Sequence, residues 1–232
     1  MKNILARGGV EFLAVFLGIA LSLWVDDYRQ EKELNNRIID DYNNIYSEVL
    51  SNIIIIDDVI EKNKGMIDAE EILLKVLNGE VVYNQDDVIQ LLGGIYSSTF
   101  FGETSAHKTS VASGRFNSSK NDTLTNQVSK LYEHYFVRLD NNGLWMDNVN
   151  NPAFNLGPVL PFYTAIYNQN NLDSLDIKND FFSDTFKNSF LYCRFVRGIY
   201  SSRLEITREQ LFIVKNNLKN YLLSEKKNSE MD

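Results

Sequence analysis

The chain has 232 residues and three prolines, enough length for one domain with a sizeable core. A hydrophobic content of 44% with 12% aromatic residues excludes a disordered tail, and a net charge of −8 excludes the electrostatic footprint of a nucleic-acid binder. Cys193 is the single cysteine, which excludes an intrachain disulfide.

Ile4 to Val25 is the most apolar stretch, and from Val10 onward only Glu11 and Ser22 interrupt it. About 20 helical residues cross a hydrocarbon core roughly 30 Å thick, so the spacing predicts a transmembrane helix over this stretch. Trp24 and Tyr28 take the interfacial position, and Asp26, Asp27 and Arg29 end the run. A cleaved signal peptide and a buried helix of a soluble fold are the competing readings; the first lacks a small-residue cleavage site before the acidic stop. Arg7, Glu11, Ala14, Gly18 and Ser22 fall on one helix face. Arg7 can pair with Glu11 four residues on, and the small residues admit a second backbone, so this face is expected to carry helix association.

Leu34, Ile38, Tyr42, Ile45, Val49, Ile53, Ile56 and Ile60 then recur at helical spacing, close to a coiled-coil seam. No glycine or proline lies between Asp26 and Lys64, so the first helix is expected to run into this one as a single rod that stops at Gly65. Shorter helices follow over Asp68–Leu77, over 85–92 behind Asn84 or Asp86, from Thr104 or Ser105 to Ser113, and from Asn121 or Asp122 to a break at 141–143. Residues 147–161 read as a loop, Phe162–Tyr167 as a short helix, and 168–173 as another loop. From Asp180 to Leu223 Tyr192, Val196, Ile199, Leu204, Leu211, Val214, Leu218 and Leu222 form a second long stripe. The two long helices, near 30–64 and 185–223, are expected to pack antiparallel as the centre of a bundle. The fold class expected is all-α. The domains expected are an anchor over 1–28, a helical bundle over 29–223 and a mobile tail over 224–232.

Motifs for chemistry are sparse. Ser105 and Lys108 stand at S-x-x-K spacing without the companion elements of penicillin-recognising enzymes, so helix capping by Ser105 is the simpler reading. His107 and His134 have no second histidine or cysteine at ligand spacing. Cys193, in an aromatic stretch, reads as buried and inert, and the doublets Asp40-Asp41, Asp57-Asp58 and Asp86-Asp87 read as solvated faces. Arg194, Arg197, Arg203 and Arg208 form a basic, aromatic-flanked set suited either to an anionic ligand or to acids such as Asp40, Asp41 or Glu48 on a neighbouring helix.

Glu11 followed by an apolar run, Gly18-Ile19-Ala20-Leu21, the charged Tyr28-Arg29-Gln30-Glu31-Lys32, and the stretches Val111–Phe116 and Asn121–Leu124 resemble a family of small, uncharacterised, bacterial single-pass membrane proteins. Trp24-Val25 departs from that family's more polar residues at this point. The resemblance implies an N-terminal anchor and a helical domain, with no activity and no catalytic residues to carry over. The function expected is therefore a non-enzymatic, membrane-anchored protein that forms a homo-oligomer, or docks on another membrane protein, through its span. A membrane-tethered sensor, whose bundle binds a small ligand or peptide and signals along the continuous helix, is the alternative. The expected partners are the lipid bilayer and a membrane protein, with no cofactor, metal or nucleic acid. The expected place is the bacterial inner membrane, with the large domain periplasmic.

Overall fold

The computed structural model describes the backbone of residues 2–96, 98–155 and 177–229, and the side chains of 12–96, 98–149 and 177–228. It is an all-α bundle built on two long helices. The elements in order are α1 (Lys2–Leu77), α2 (Gln85–Gly93), α3 (Ser105–Ala112), a 3₁₀ turn (Phe116–Ser118), α4 (Asp122–Lys130), a π-helical segment (Leu131–Phe136), α5 (Val137–Asn155), α6 (Lys178–Phe181) and α7 (Asp184–Ser229). α1 and α7 are antiparallel: Tyr42 meets Tyr221, Asp57 meets Arg208, and Glu70 meets Arg197, so the numbers fall on one helix as they rise on the other.

Most of the stripe read from the sequence is the packed one, while Leu34 and Tyr192 at its ends are exposed. Ile38, Tyr42, Ile45, Val49, Ile56, Leu204, Leu211 and Leu218 are all buried in one apolar cluster with Phe100, Val128, Leu131 and Phe136. A second cluster joins the far end of α1 (Leu73, Val76, Leu77) to α2 (Val88, Ile89, Leu92), to Phe181 of α6, and to Phe186 and Phe190 of α7. Burial of such side chains contributes about 1.5–3 kcal/mol each and is the main term favouring the fold.

Several boundaries differ from the sequence expectation. α1 does not stop at Gly65, which lies exposed with nothing within 4 Å of a would-be Cβ; a solvent-facing glycine costs a helix only about 1 kcal/mol. The helix instead ends at Asn78-Gly79, with Gly79 at φ +76°. Residues 141–143 do not break α5, because Gly143 gives close passage to Thr99 and the Tyr200 ring, 3.4 and 3.5 Å from its would-be Cβ. The expected loop from 147 is helical as far as Asn155, and the expected tail continues α7 to Ser229. The short helix and loop expected over 162–173 lie outside the described residues.

The transmembrane expectation is corrected. Among the described residues, no helix is long and apolar enough to cross a membrane. The anchor over 1–28, the lipid bilayer as partner, the single-pass topology and the periplasmic placement all rested on that span. They lose their basis with it, as does the membrane-tethered form of both expected functions.

Candidate functional site

Beyond the bundle, α1 carries an apolar end whose surface has no partner in the described structure. From Phe12 to Val25 every residue is exposed, with Phe12 69%, Phe16 57%, Ile19 58% and Trp24 66% accessible. The rings of Phe12 and Phe16 stack on each other at 6.3 Å, as do those of Trp24 and Tyr28 at 6.1 Å. The expected association face is present in part. Ala14, Gly18 and Ser22 are exposed, and nothing lies within 4 Å of a would-be Cβ on Gly18. The side chains of Arg7 and Glu11 lie outside the described residues.

Inside the bundle, the polar groups that could do chemistry are tied to structure. The start of α3 is capped from a distance: Glu48 of α1 accepts hydrogen bonds from the backbone N–H of Ala106 (2.6 Å) and His107 (3.3 Å) and from Ser105 Oγ (3.2 Å). A carboxylate on a helix N-terminus satisfies its free donors and its partial positive charge. Of the two expected caps, Thr104 makes no side-chain capping bond and Ser105 Oγ donates to Glu48. Ser105 is thus committed to a carboxylate while Lys108 is exposed, which is not the geometry of an activated serine.

His107 is buried at 4% exposure, stacked on Tyr132 at 4.3 Å with planes 4° apart, and edge-on to Phe116. Burial lowers its pKa, with Glu133 and Glu48 pulling the other way and Lys108 adding slightly to the fall. Its Nε2 has no hydrogen-bond partner among the described residues. Burial pushes the Tyr132 phenol well above its usual value. Tyr132 lies in the π-helical segment, whose extra residue per turn lets Tyr132 reach His107 while Phe136 reaches Phe100. His134, the other histidine, is exposed against the edge of Tyr135.

Three of the four arginines find acids, but not the ones expected. Arg197 pairs with Glu70 at 2.8 Å, Arg208 with Asp57 at 2.5 Å, and Arg194 approaches Glu71 at 3.9 Å. Asp41 is taken by Arg115 (2.9 Å) and Ser110, and Glu48 by α3. Arg203 sits with Leu191, Phe195 and Ile199 in a shallow groove along α7. Cys193 is buried as expected, its Sγ donates to the Val149 carbonyl at 3.5 Å, and burial raises its pKa to about 11, which suppresses the thiolate. Among the described residues no group of three His, Cys, Asp or Glu side chains is placed to hold a metal ion.

Asn52, Asn63 and Glu70 were not singled out by sequence reasoning, and Glu48 only as an acid for the arginines, yet each binds a distant segment. Asn52 exchanges hydrogen bonds with the backbone of Glu103 in both directions (2.8 and 2.7 Å), and Asn63 donates to the Ser98 carbonyl (2.8 Å). The signal was available: all four sit in or beside the apolar stripe of α1, where a polar residue needs a partner.

A family profile described as a family of unknown function, DUF6090, matches residues 11–191. The chain belongs to the DUF6090 family. No curated protein and no solved structure matches it. The DUF6090 match runs from Glu11 to Leu191, so it takes in the exposed apolar end of α1 and the bundle as far as the first turns of α7. The single-pass membrane character that the sequence resemblance implied has no qualifying span among the described residues of this DUF6090 chain.

Proposed function

We propose that this chain is a non-enzymatic helical interaction protein, whose bundle holds out an apolar helix end as its contact element. The exposed stretch Phe12–Val25 carries this reading. A helix that is apolar on all sides is not left bare in water; an exposed patch of this kind marks an interaction surface. The reading is further supported inside the bundle, where Glu48, Asn52, Asn63, Asp41 and Glu70 each engage a named structural partner.

The test compares the full chain with a Phe16→Asp, Ile19→Asp, Leu23→Asp variant by light scattering and by binding of a fluorescent apolar dye. The wild type is expected to assemble or to bind the dye strongly, and the variant to do neither while keeping its helical circular dichroism. Equal assembly and equal dye binding in the two chains would overturn the proposal.

A further inference from the structure

α3 adds almost nothing apolar to the interior. Of its eight residues only His107 and Ser110 are buried. Ala106 and Val111 are half-buried against the core, and Ser105, Lys108, Thr109 and Ala112 are exposed. A segment with so few buried apolar contacts lies at the low end of local stability and opens ahead of the helices that carry the core. The chain is fastened on either side of it. Before α3, the backbone of Glu103 exchanges two hydrogen bonds with Asn52 of α1. After it, Arg115 is held on Asp41. Gly114, between α3 and Arg115, sits at φ +76°, where glycine turns most freely.

Three ties hold α3 down between those fastenings. Glu48 caps its start, Ser110 Oγ donates to Asp41 at 2.7 Å, and His107 fills a slot between the face of Tyr132 and the edge of Phe116. The charged and titratable groups around the slot are Asp41 and Glu48 on α1, Tyr132 and Glu133 on the π-helical segment, Lys108 on α3 itself and Arg115 beyond it. Burial would raise the pKa of Asp41, but the bonds from Arg115 and Ser110 and the Arg115 charge outweigh it, so the carboxyl stays below its usual range and that tie survives mild acid. The His107 tie does not. A proton on its imidazole puts a charge between two rings, and Nε2 faces no acceptor among the described residues. With α3 lifted, the same imidazole stands in water and takes its proton near the ordinary 6.5.

We propose that α3 is an acid-released flap. Protonation of His107 favours the state in which Ser105–Ala112 stands off the bundle, fastened at Glu103 and turning at Gly114, with the face of Tyr132 uncovered. The device is separate from the projecting helix end.

The test is amide hydrogen exchange on the full chain, followed in peptides covering residues 104–113 and in peptides from α7, with each rate divided by the intrinsic rate at its pH. The α3 amides are expected to be at least tenfold less protected than those of α7 at every pH, which marks an opening short of global unfolding. Their opening constant is expected to rise at least threefold from about pH 7.5 to about pH 5; linkage to one histidine proton near 6.5 limits the rise to about thirtyfold. His107→Phe is expected to remove the rise, and so is His107→Gln, which keeps the test intact if the larger ring disturbs the slot. His134→Gln, which changes the exposed histidine, is expected to respond as the wild type does. An α3 as protected as α7, a rise smaller than threefold, a rise that persists in both His107 variants, or a response lost in His134→Gln each overturns the proposal.

Discussion

Arg197 donates from Nε to Glu70 Oε1 at 2.8 Å, with the two side chains 0% and 1% exposed. Arg197 also reaches the sulfur of Met66 and the carbonyl of Tyr96, so one guanidinium joins α7, α1 and the segment after α2. Burial raises the pKa of Glu70, against the pull of Arg197 and Arg194.

Breaking this pair from one side should cost far more than removing it. Glu70→Leu leaves a buried charge without its counter-ion, and a loss of about 3–5 kcal/mol is expected. The double change Glu70→Leu, Arg197→Met should recover most of that loss. Urea unfolding of the two single variants and the double variant measures both numbers. A double variant as unstable as Glu70→Leu would contradict the account.

Glu48 should matter as a helix cap supplied from another helix. Glu48→Ala leaves the N–H groups of Ala106 and His107 without their acceptor and should cost about 2–3 kcal/mol. Glu48→Gln keeps an acceptor but loses the charge at the helix start, and should cost about 1 kcal/mol. Hydrogen exchange at Ala106 and His107 should rise in the alanine variant ahead of exchange in α7. Uniform loosening of the whole bundle would argue against local capping.

His107 gives the fold a pH dependence of defined sign. Its pKa is lowered from 6.5 by burial, so as pH falls through that value the unfolded chain takes up a proton that the folded chain refuses. The stability is present above about 6.5 and is lost progressively below it, until the folded imidazole is itself protonated. His107→Phe keeps a ring against Tyr132 and removes the titration. Unfolding free energies between roughly pH 5 and pH 8 should fall with acid in the wild type and fall less in the variant. Parallel curves would assign the dependence to other groups.

The long-helix pairing was legible because its signal is periodic: Ile38, Tyr42, Ile45, Val49 and Ile56 recur at helical spacing and all are buried. Punctuation was less legible. Gly65 and Gly143 look alike in sequence, yet one faces open space and the other packs against Thr99 and Tyr200, and neither ends a helix. The arginine partners were misassigned because they depend on the register between helices more than 100 residues apart, which no local pattern encodes. The π-helical segment was invisible for the same reason: its extra residue serves the contacts Tyr132–His107 and Phe136–Phe100, both made across the bundle. At the N-terminus composition alone suggested a membrane span, and the described structure holds no helix that meets the length and apolarity needed. The exposed end itself was foreseeable, since Phe12–Val25 lacks the polar face that a bundle helix needs.

The two apolar clusters share their walls. α1 supplies Ile38 to Val59 to one and Leu73 to Leu77 to the other, while α7 supplies Phe186 and Phe190 to the second and Val196 to Leu218 to the first. Neither cluster can come apart alone without severing both long helices in mid-course, where each has its full complement of backbone bonds. Heat or denaturant therefore meets one melting unit and not two, and damage at the Gly79 end is felt as far away as Tyr42.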